Sequence, residues 1–203
     1  MDAFRGALSH YGLPIPDEQR LRSYVGPPLW YSFGDLGYEG ELLANLVTGY
    51  RSRYQDHYLD PEPFPGVIEL LHELRAAGVA LATATSKQAP MALAQMEHLG
   101  LSSVFDVIAG ATPDPASSKA TVIHEALTRL KARGVDISHP VIVGDSVWDV
   151  RGAQEAGIPV IGVGWGYATE DGLDEADAVC ETVEDLRTYL LDGVAKHARD
   201  RDS

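Results

Sequence analysis

The sequence predicts an α/β protein, a doubly wound parallel sheet covered by helices on both faces and preceded by a small helical unit. Three observations carry that prediction. Beyond residue 66, short apolar runs alternate with helical stretches that end at glycines, the pattern of βαβ units. Residues 1–60 show helical spacing and no strand-like run. Between them, Asp60-Pro61-Glu62-Pro63-Phe64-Pro65-Gly66 holds three prolines in five residues, which excludes regular structure. The boundary is therefore placed there, giving a helical unit at 1–60 and an α/β unit at 61–203.

The elements follow in order. Phe4, Ala7, Leu8 and Tyr11 share one helical face, with Asp2 as the expected N-cap and Gly12 as the stop. Asp17 is placed to start a short helix through Tyr24, and Gly26-Pro27-Pro28 then forces a turn. A longer helix is expected over 39–57, with Leu42, Leu43, Leu46, Val47 and Tyr50 on one side. In the second unit the expected order is helix 67–77, buried strand 79–85, helix 89–99 and strand 104–111. Helix 118–133, strand 140–145, helix 148–156, strand 159–166, a weak strand 178–180 and a helix over about 184–197 complete it.

Composition bounds the function. A net charge of −14 and a pI near 4.7 argue against nucleic acid or an anionic membrane as the main partner, because either requires a basic face. Cys180 is the only cysteine, so an intrachain disulfide and a cysteine-rich metal site are excluded. A reducing cytoplasm fits that usage. The N-terminal MDAFRGALSHYG lacks the apolar core of a signal peptide, and no apolar run is long enough to span a bilayer. No GxSxG, HExxH, Walker A or GxGxxG pattern occurs, and the seven histidines show no ligand spacing.

In an open parallel sheet, ligands gather beyond the carboxyl ends of the strands. Three polar clusters fall there: Thr85-Ser86-Lys87, Lys119 at the start of a helix, and Asp145 with Asp149 after the VIVG strand. Two neighbouring carboxylates repel one another unless a cation lies near them, and Mg2+ takes few protein carboxylates, filling its octahedron with water and phosphate. Gly144 is expected to allow the sharp turn into Asp145. Spacing leaves the alternative open that Asp145 caps the next helix and Asp149 is exposed on it. Lys119 is likewise open between a surface lysine and a fixed charge for phosphate. Thr85 and Ser86 are open between phosphate donors and helix caps.

Taken together, the clusters resemble the second, third and fourth motifs of the haloacid dehalogenase (HAD) superfamily. Thr85 matches the threonine of motif two, Lys119 the lysine of motif three, and Asp145 and Asp149 the acid pair of motif four. The runs PFPGVIELLHELRAAGV, ATSKQ, VGDSVWDVRGAQEAGIPVIGVGWGY and VGPPL resemble the phosphoglycolate phosphatase-like branch. The resemblance implies a Rossmann-like core and a helical cap over residues 1–60. It also implies an Mg2+-dependent phosphatase acting on a small phosphomonoester, phosphoglycolate- or nucleoside monophosphate-like, through an aspartyl-phosphate. By the same resemblance Thr85 and Lys119 are catalytic, Asp145 and Asp149 hold the metal, and Ser86, Lys87, Arg22, Gly26 and Pro27 contact the substrate. The expected partner is a small phosphorylated metabolite, and a homodimer is left open.

One motif is not found. The family's DxDGT, which carries the nucleophile on a central strand, occurs nowhere in the sequence. It is expected upstream of Met1, leaving the central strand absent from this chain and the chain without phosphatase activity as it stands. A phosphomutase remains open, dehalogenation is disfavoured by the acid pair, and the alternative of another class is a non-catalytic relative that binds a phosphometabolite or a protein. The aromatics Tyr24, Trp30, Tyr31 and Phe33 read as cap core or as a stacking surface; Trp165 and Tyr167 are open between lining the cleft and packing, with packing preferred, and Cys180 reads as a small core residue.

Overall fold

The computed structural model describes residues 1–114, 116–167 and 171–201, with side chains to residue 194. The chain divides into two compact units, Met1–Pro61 with Pro113–Ala116, and Glu62–Thr112 with Ser117–Ser203.

The first unit is built from α1 (Asp2–His10), α2 (Glu18–Arg22), α3 (Leu29–Asp35) and α4 (Gly40–Tyr54). Met1, not Asp2, is the N-cap of α1. Asp2 lies instead in the first turn, where its charge meets the positive end of the helix. Asp17 caps α2, its carboxylate accepting the Arg20 N–H at 2.8 Å. The Gly26-Pro27-Pro28 turn does more than end α2, because Pro28 serves as the N-cap of α3, a helix the sequence reading omitted. Propensity undervalued it; the reason it forms is tertiary. Phe33 is fully buried and stacks on Phe4 with centroids 4.2 Å apart and planes 11° from parallel. Leu8, Leu46 and Val47 complete that core.

The second unit contains α5 (Val67–Ala76), β1 (Ala82–Gln88), α6 (Ala89–His98), β2 (Val107–Ala111) and α7 (Lys119–Ala132). It continues with β3 (Ile142–Gly144), α8 (Val147–Ala156), β4 (Val160–Val163), β5 (Ala178–Cys180) and α9 (Val183–Arg201). Every strand pair is parallel. The strands form two pieces, β1-β2 and β3-β4-β5.

Strand burial follows that division. β4 is paired on both edges, and all four of its residues are buried. β1 is paired on one edge and is half-buried along its whole length, where the sequence reading expected a buried strand. It also starts later than expected and runs on through Ser86 and Lys87, with a break in register between Thr85 and Gln88. One apolar cluster gathers Leu70, Leu74, Ile161, Val163, Cys180 and Leu186, with Val79 and Leu81 packed on it. Another joins Val107, Ala109, Val122, Ala126 and Leu130 to Ala80, Ala82 and Ala84. Among the described residues no helix is long and apolar enough to cross a membrane.

Candidate functional site

The site grows from two helix starts. Ser118 is the N-cap of α7 in a reciprocal capping box: its hydroxyl accepts the Thr121 N–H at 3.2 Å, and the Ser118 N–H donates to Thr121 Oγ1 at 2.9 Å. That fixes Lys119 as the first helical residue. Ser146 is the N-cap of α8, which places Asp149 in the first turn of that helix, the favourable end for a carboxylate.

The two starts meet. Lys119 Nζ lies 2.6 Å from Asp149 Oδ1 and donates to the Ala84 carbonyl at 2.7 Å. The pair is shielded, with side-chain exposures of 14% and 10%. Asp149 Oδ2 accepts the Ser146 hydroxyl at 2.7 Å and the Asp145 N–H at 3.1 Å. Both oxygens of Asp149 are thus engaged by protein donors. The open alternatives close here: Asp149 is buried, not exposed, Ser146 rather than Asp145 caps α8, and Lys119 is not a surface lysine.

Two glycines make room for this packing. A Cβ on Gly144 would lie 2.2 Å from the Cβ of Asp149, and one on Gly152 would lie 2.3 Å from the Cγ of Lys119. Gly144 has no positive φ, so its part is to let the Asp149 side chain approach, not the sharp turn that the sequence suggested.

Asp145 is half-buried immediately after β3. Its Oδ2 accepts the Tyr167 N–H at 3.0 Å, and its Oδ1 has no protein donor among the described residues. Burial pushes the Asp145 carboxyl above its ordinary pKa, and the charge of Asp149 adds to that. The Tyr167 N–H, its own backbone N–H and Lys119 oppose the shift. A carboxylate with one free oxygen in such surroundings suits a hard cation that asks for one or two carboxylates and completes its shell with water and phosphate. The donor set therefore fits Mg2+ at Asp145, with Asp149 holding Lys119 and the Asp145 backbone in place.

Thr85 sits beside the Ala84 carbonyl that receives Lys119. Its hydroxyl accepts the Lys87 N–H at 3.1 Å and retains a proton to donate. Ser86 is half-buried next to it. Lys87 Nζ donates to Gln95 Oε1 on α6, and burial pushes its ammonium below the ordinary lysine range. The structure thus brings the end of β1, Lys119, Asp145 and Asp149 together. Arg22, Gly26 and Pro27 belong to the first unit, where Arg22 is exposed at the end of α2, Gly26 has φ +103° and Pro27 is buried.

Two contributors escaped the sequence reading. Ser146 carried a readable signal, a serine three residues before an acid at a helix start. The Tyr167 N–H carried none, because a backbone donor has no residue signature.

With that geometry in view, the comparisons with known proteins agree on the family. Residues 1–163 match the family model described as haloacid dehalogenase-like hydrolase. This chain belongs to that family. It is 36% identical over 196 residues to the tyrosine-protein kinase PtkA of Mycobacterium tuberculosis, an alignment covering 94% of this chain and 66% of PtkA. It is 36% identical over 163 residues to a phosphoglycolate phosphatase of Caulobacter vibrioides, covering 77% of this chain and 68% of that one. The solved structure of the haloacid dehalogenase-like family protein SP0104 from Streptococcus pneumoniae superposes with a TM-score of 0.80 at 30% identity, covering 93% of this chain and 89% of that one. The chain thus spans just under two thirds of PtkA's length.

Proposed function

We propose that this chain carries the metal- and phosphate-holding part of an Mg2+-dependent phosphatase for a small phosphomonoester, phosphoglycolate- or nucleoside monophosphate-like, working in the cytoplasm. The observation that carries this is the junction of Lys119, Asp149 and Asp145 at the carboxyl ends of β1 and β3. Phosphoryl transfer needs positioned positive charge and little else from its protein, and this junction holds an ammonium and a free carboxylate oxygen side by side.

Each residue then has a task. Asp149 anchors Lys119, so its ammonium is preorganised instead of searching through rotamers. The Ala84 carbonyl fixes the second direction of that ammonium and leaves its third proton for an incoming phosphoryl oxygen. Thr85 donates its hydroxyl, with Ser86 beside it. Asp145, steadied by the Tyr167 N–H, offers Oδ1 to Mg2+. When bound, Mg2+ screens the charge between the phosphate and an attacking carboxylate and orients the phosphoryl group. Among the described residues no group of three or more His, Cys, Asp or Glu residues is placed to hold a metal, so Mg2+ would rest on Asp145 with water and phosphate completing its shell. In that scheme the nucleophile is an aspartate on a strand between β1 and β3, which is not among the residues named above, and binding of metal and phosphate without turnover is the expected behaviour.

The test is calorimetric titration of the chain with Mg2+ and with inorganic phosphate, alongside a p-nitrophenyl phosphate assay. Mg2+ binding lost in Asp145→Asn, and phosphate binding lost in Lys119→Met, are the expected results, with hydrolysis at background. A metal-dependent hydrolysis rate would overturn the inactivity, and unchanged Mg2+ binding by Asp145→Asn would overturn the metal assignment. PtkA's name adds a second arm, ATP with a tyrosine peptide. Transfer to the peptide would replace the phosphatase reading. Binding of a phosphometabolite without metal would favour a non-catalytic relative.

A further inference from the structure

A cavity on the outer edge of β2 takes no part in the chemistry above. Among the described strands β2 pairs with β1 alone. Both backbone groups of Ala109 engage the Thr83 hydroxyl on β1, and groups of a parallel strand face its two edges alternately. Ile108 and Asp106 therefore turn their carbonyls to the open edge, where side chains of α7 reach them. Arg129 donates to the Ile108 carbonyl at 2.9 Å. Arg133, one helical turn later, donates to the Asp106 carbonyl. With those acceptors occupied, the edge presents side chains and not a free row of carbonyls.

The two arginines share a cavity of about 490 Å3 with Leu93, Ser102, Phe105 and Ile108, within the size range of small-molecule sites. Its charge is unusual for this chain. Acids outnumber bases by 30 to 16, and Arg5, Arg20, Arg75 and Arg187 each pair with a carboxylate. Among the described residues Arg129 and Arg133 pair with none, and each uses one donor of its fork on a carbonyl. Asp106, the acid on the cavity wall, is already engaged, its Oδ2 taking Arg75 at 2.7 Å and the Leu81 N–H at 3.0 Å. The wall thus carries two positive charges without a counter-ion. Ser102 adds a third donor, since its Oγ is buried and has no hydrogen-bond partner among the described residues. An unsatisfied buried hydroxyl costs stability, and a bound acceptor removes that cost. Guarding a strand edge accounts for one N–H of each arginine; it accounts neither for the missing counter-ion nor for the unpartnered hydroxyl on the same wall.

We propose that this cavity binds a small organic acid, a carboxylate on an apolar and preferably aromatic body. The carboxylate lies between the Arg129 and Arg133 forks, whose planar donors match its two oxygens, and accepts the Ser102 hydroxyl. The body covers Phe105, Ile108 and Leu93, the last of which is 46% exposed. That apolar wall contributes only if the anion has carbon to bury against it, which is why an organic acid suits the cavity better than inorganic phosphate. The proposal does not rest on the phosphatase reading. Lys119 is the first residue of α7, and Arg133 is its C-cap, so the two sites occupy opposite ends of one helix.

The experiment titrates the full 15N-labelled chain with benzoate, acetate, benzamide and inorganic phosphate. Benzoate should shift the Ser102, Phe105 and Ile108 amide resonances saturably, leave those of Thr85 and Lys119 in place, and bind roughly tenfold or more tighter than acetate. Benzamide, of the same shape without the charge, should not shift them. Arg129→Gln and Arg133→Gln should each weaken benzoate by roughly tenfold or more. Ser102→Ala should weaken it as well while leaving the Tm of the free chain unchanged or higher, which separates a ligand contact from a packing role. Leu93→Glu alters an exposed side chain and sets a like charge on the wall; it should abolish benzoate binding with the fold intact. Absence of a saturable benzoate shift overturns the proposal, as does equal binding of benzamide or an affinity unchanged in both arginine variants. Phosphate that displaces benzoate at equal affinity overturns it in favour of an unselective anion site. Phosphate shifts at Thr85 and Lys119 report on the phosphatase reading in the same samples, so either reading can fail alone.

Discussion

In the N-terminal unit Phe4 stacks on Phe33 at 4.2 Å and on Tyr24 at 5.3 Å, and the one polar atom of Tyr24 donates to Asp35 at 2.6 Å while accepting from Arg20 at 2.8 Å. In the C-terminal unit β1 is half-buried from end to end, and two valines of the β3 run stand exposed. Helices satisfy their backbone internally, so a few amphipathic ones close a core by side-chain packing alone. Strands satisfy their backbone through neighbours, so a sheet is complete only when each inner edge has a partner. The contrast teaches that the two units place their weak points differently. The first is vulnerable at an aromatic ring, the second at a charge that bridges its two sheet pieces.

The largest effect is expected at that charge. Lys119→Met leaves Asp149 buried with no cation, which costs roughly 3–5 kcal/mol. Urea unfolding read by hydrogen exchange should show the loss in the C-terminal unit, and adding Asp149→Asn should restore most of it. If the single variant is as stable as wild type, the bridge is not what holds the pieces together. Next comes Phe33→Ala, about 3–4 kcal/mol from lost burial and a residual cavity. Its loss of protection should be confined to Met1–Pro61; an equal loss in β4 would break the contrast by showing one cooperative unit. A smaller effect, about 1–2 kcal/mol, is expected of Ser146→Ala, which removes the α8 cap and one donor to Asp149. Ser146→Thr, which keeps the hydroxyl, should recover most of it.

Legibility divides along the same line. The helical boundaries were readable because their causes are local, as with Asp17 capping α2 or Gly157 ending α8 at φ +70°. The parallel α/β class was readable from the alternation of apolar runs with glycine-ended helices. Helix α3 was not, since Leu29–Asp35 is held by Phe33 against Phe4, a contact remote in sequence. At the site, the residues Lys119, Asp145 and Asp149 were singled out in the sequence, but their pairing was not. Local spacing links Asp145 to Asp149 through one helical turn, whereas the Lys119–Asp149 contact arises only when α7 and α8 pack across Gly152. The direction of Asp149 toward the lysine, and not toward solvent, is a tertiary fact.

Asp145 supplies the smallest and sharpest prediction. Its folded pKa lies above the ordinary carboxyl value because burial and the neighbouring Asp149 disfavour its charge. Between the unfolded and folded pKa the native state holds more protons than the unfolded one, so stability falls as pH rises through that window and stays lower above it. Wherever Asp145 is ionised in the metal-free chain it is therefore a destabilising group. Asp145→Asn removes the charge while its side-chain carbonyl still accepts the Tyr167 N–H, and Tm in the presence of a chelator should rise. The gain should shrink as pH falls through the window, where wild-type Asp145 becomes protonated. Mg2+ should invert the order, raising the Tm of wild type through binding to the native state and leaving Asp145→Asn unmoved. A variant less stable than wild type in chelator would mean that Asp145 is a structural acceptor for the loop at Tyr167, with no stability given up to hold a cation.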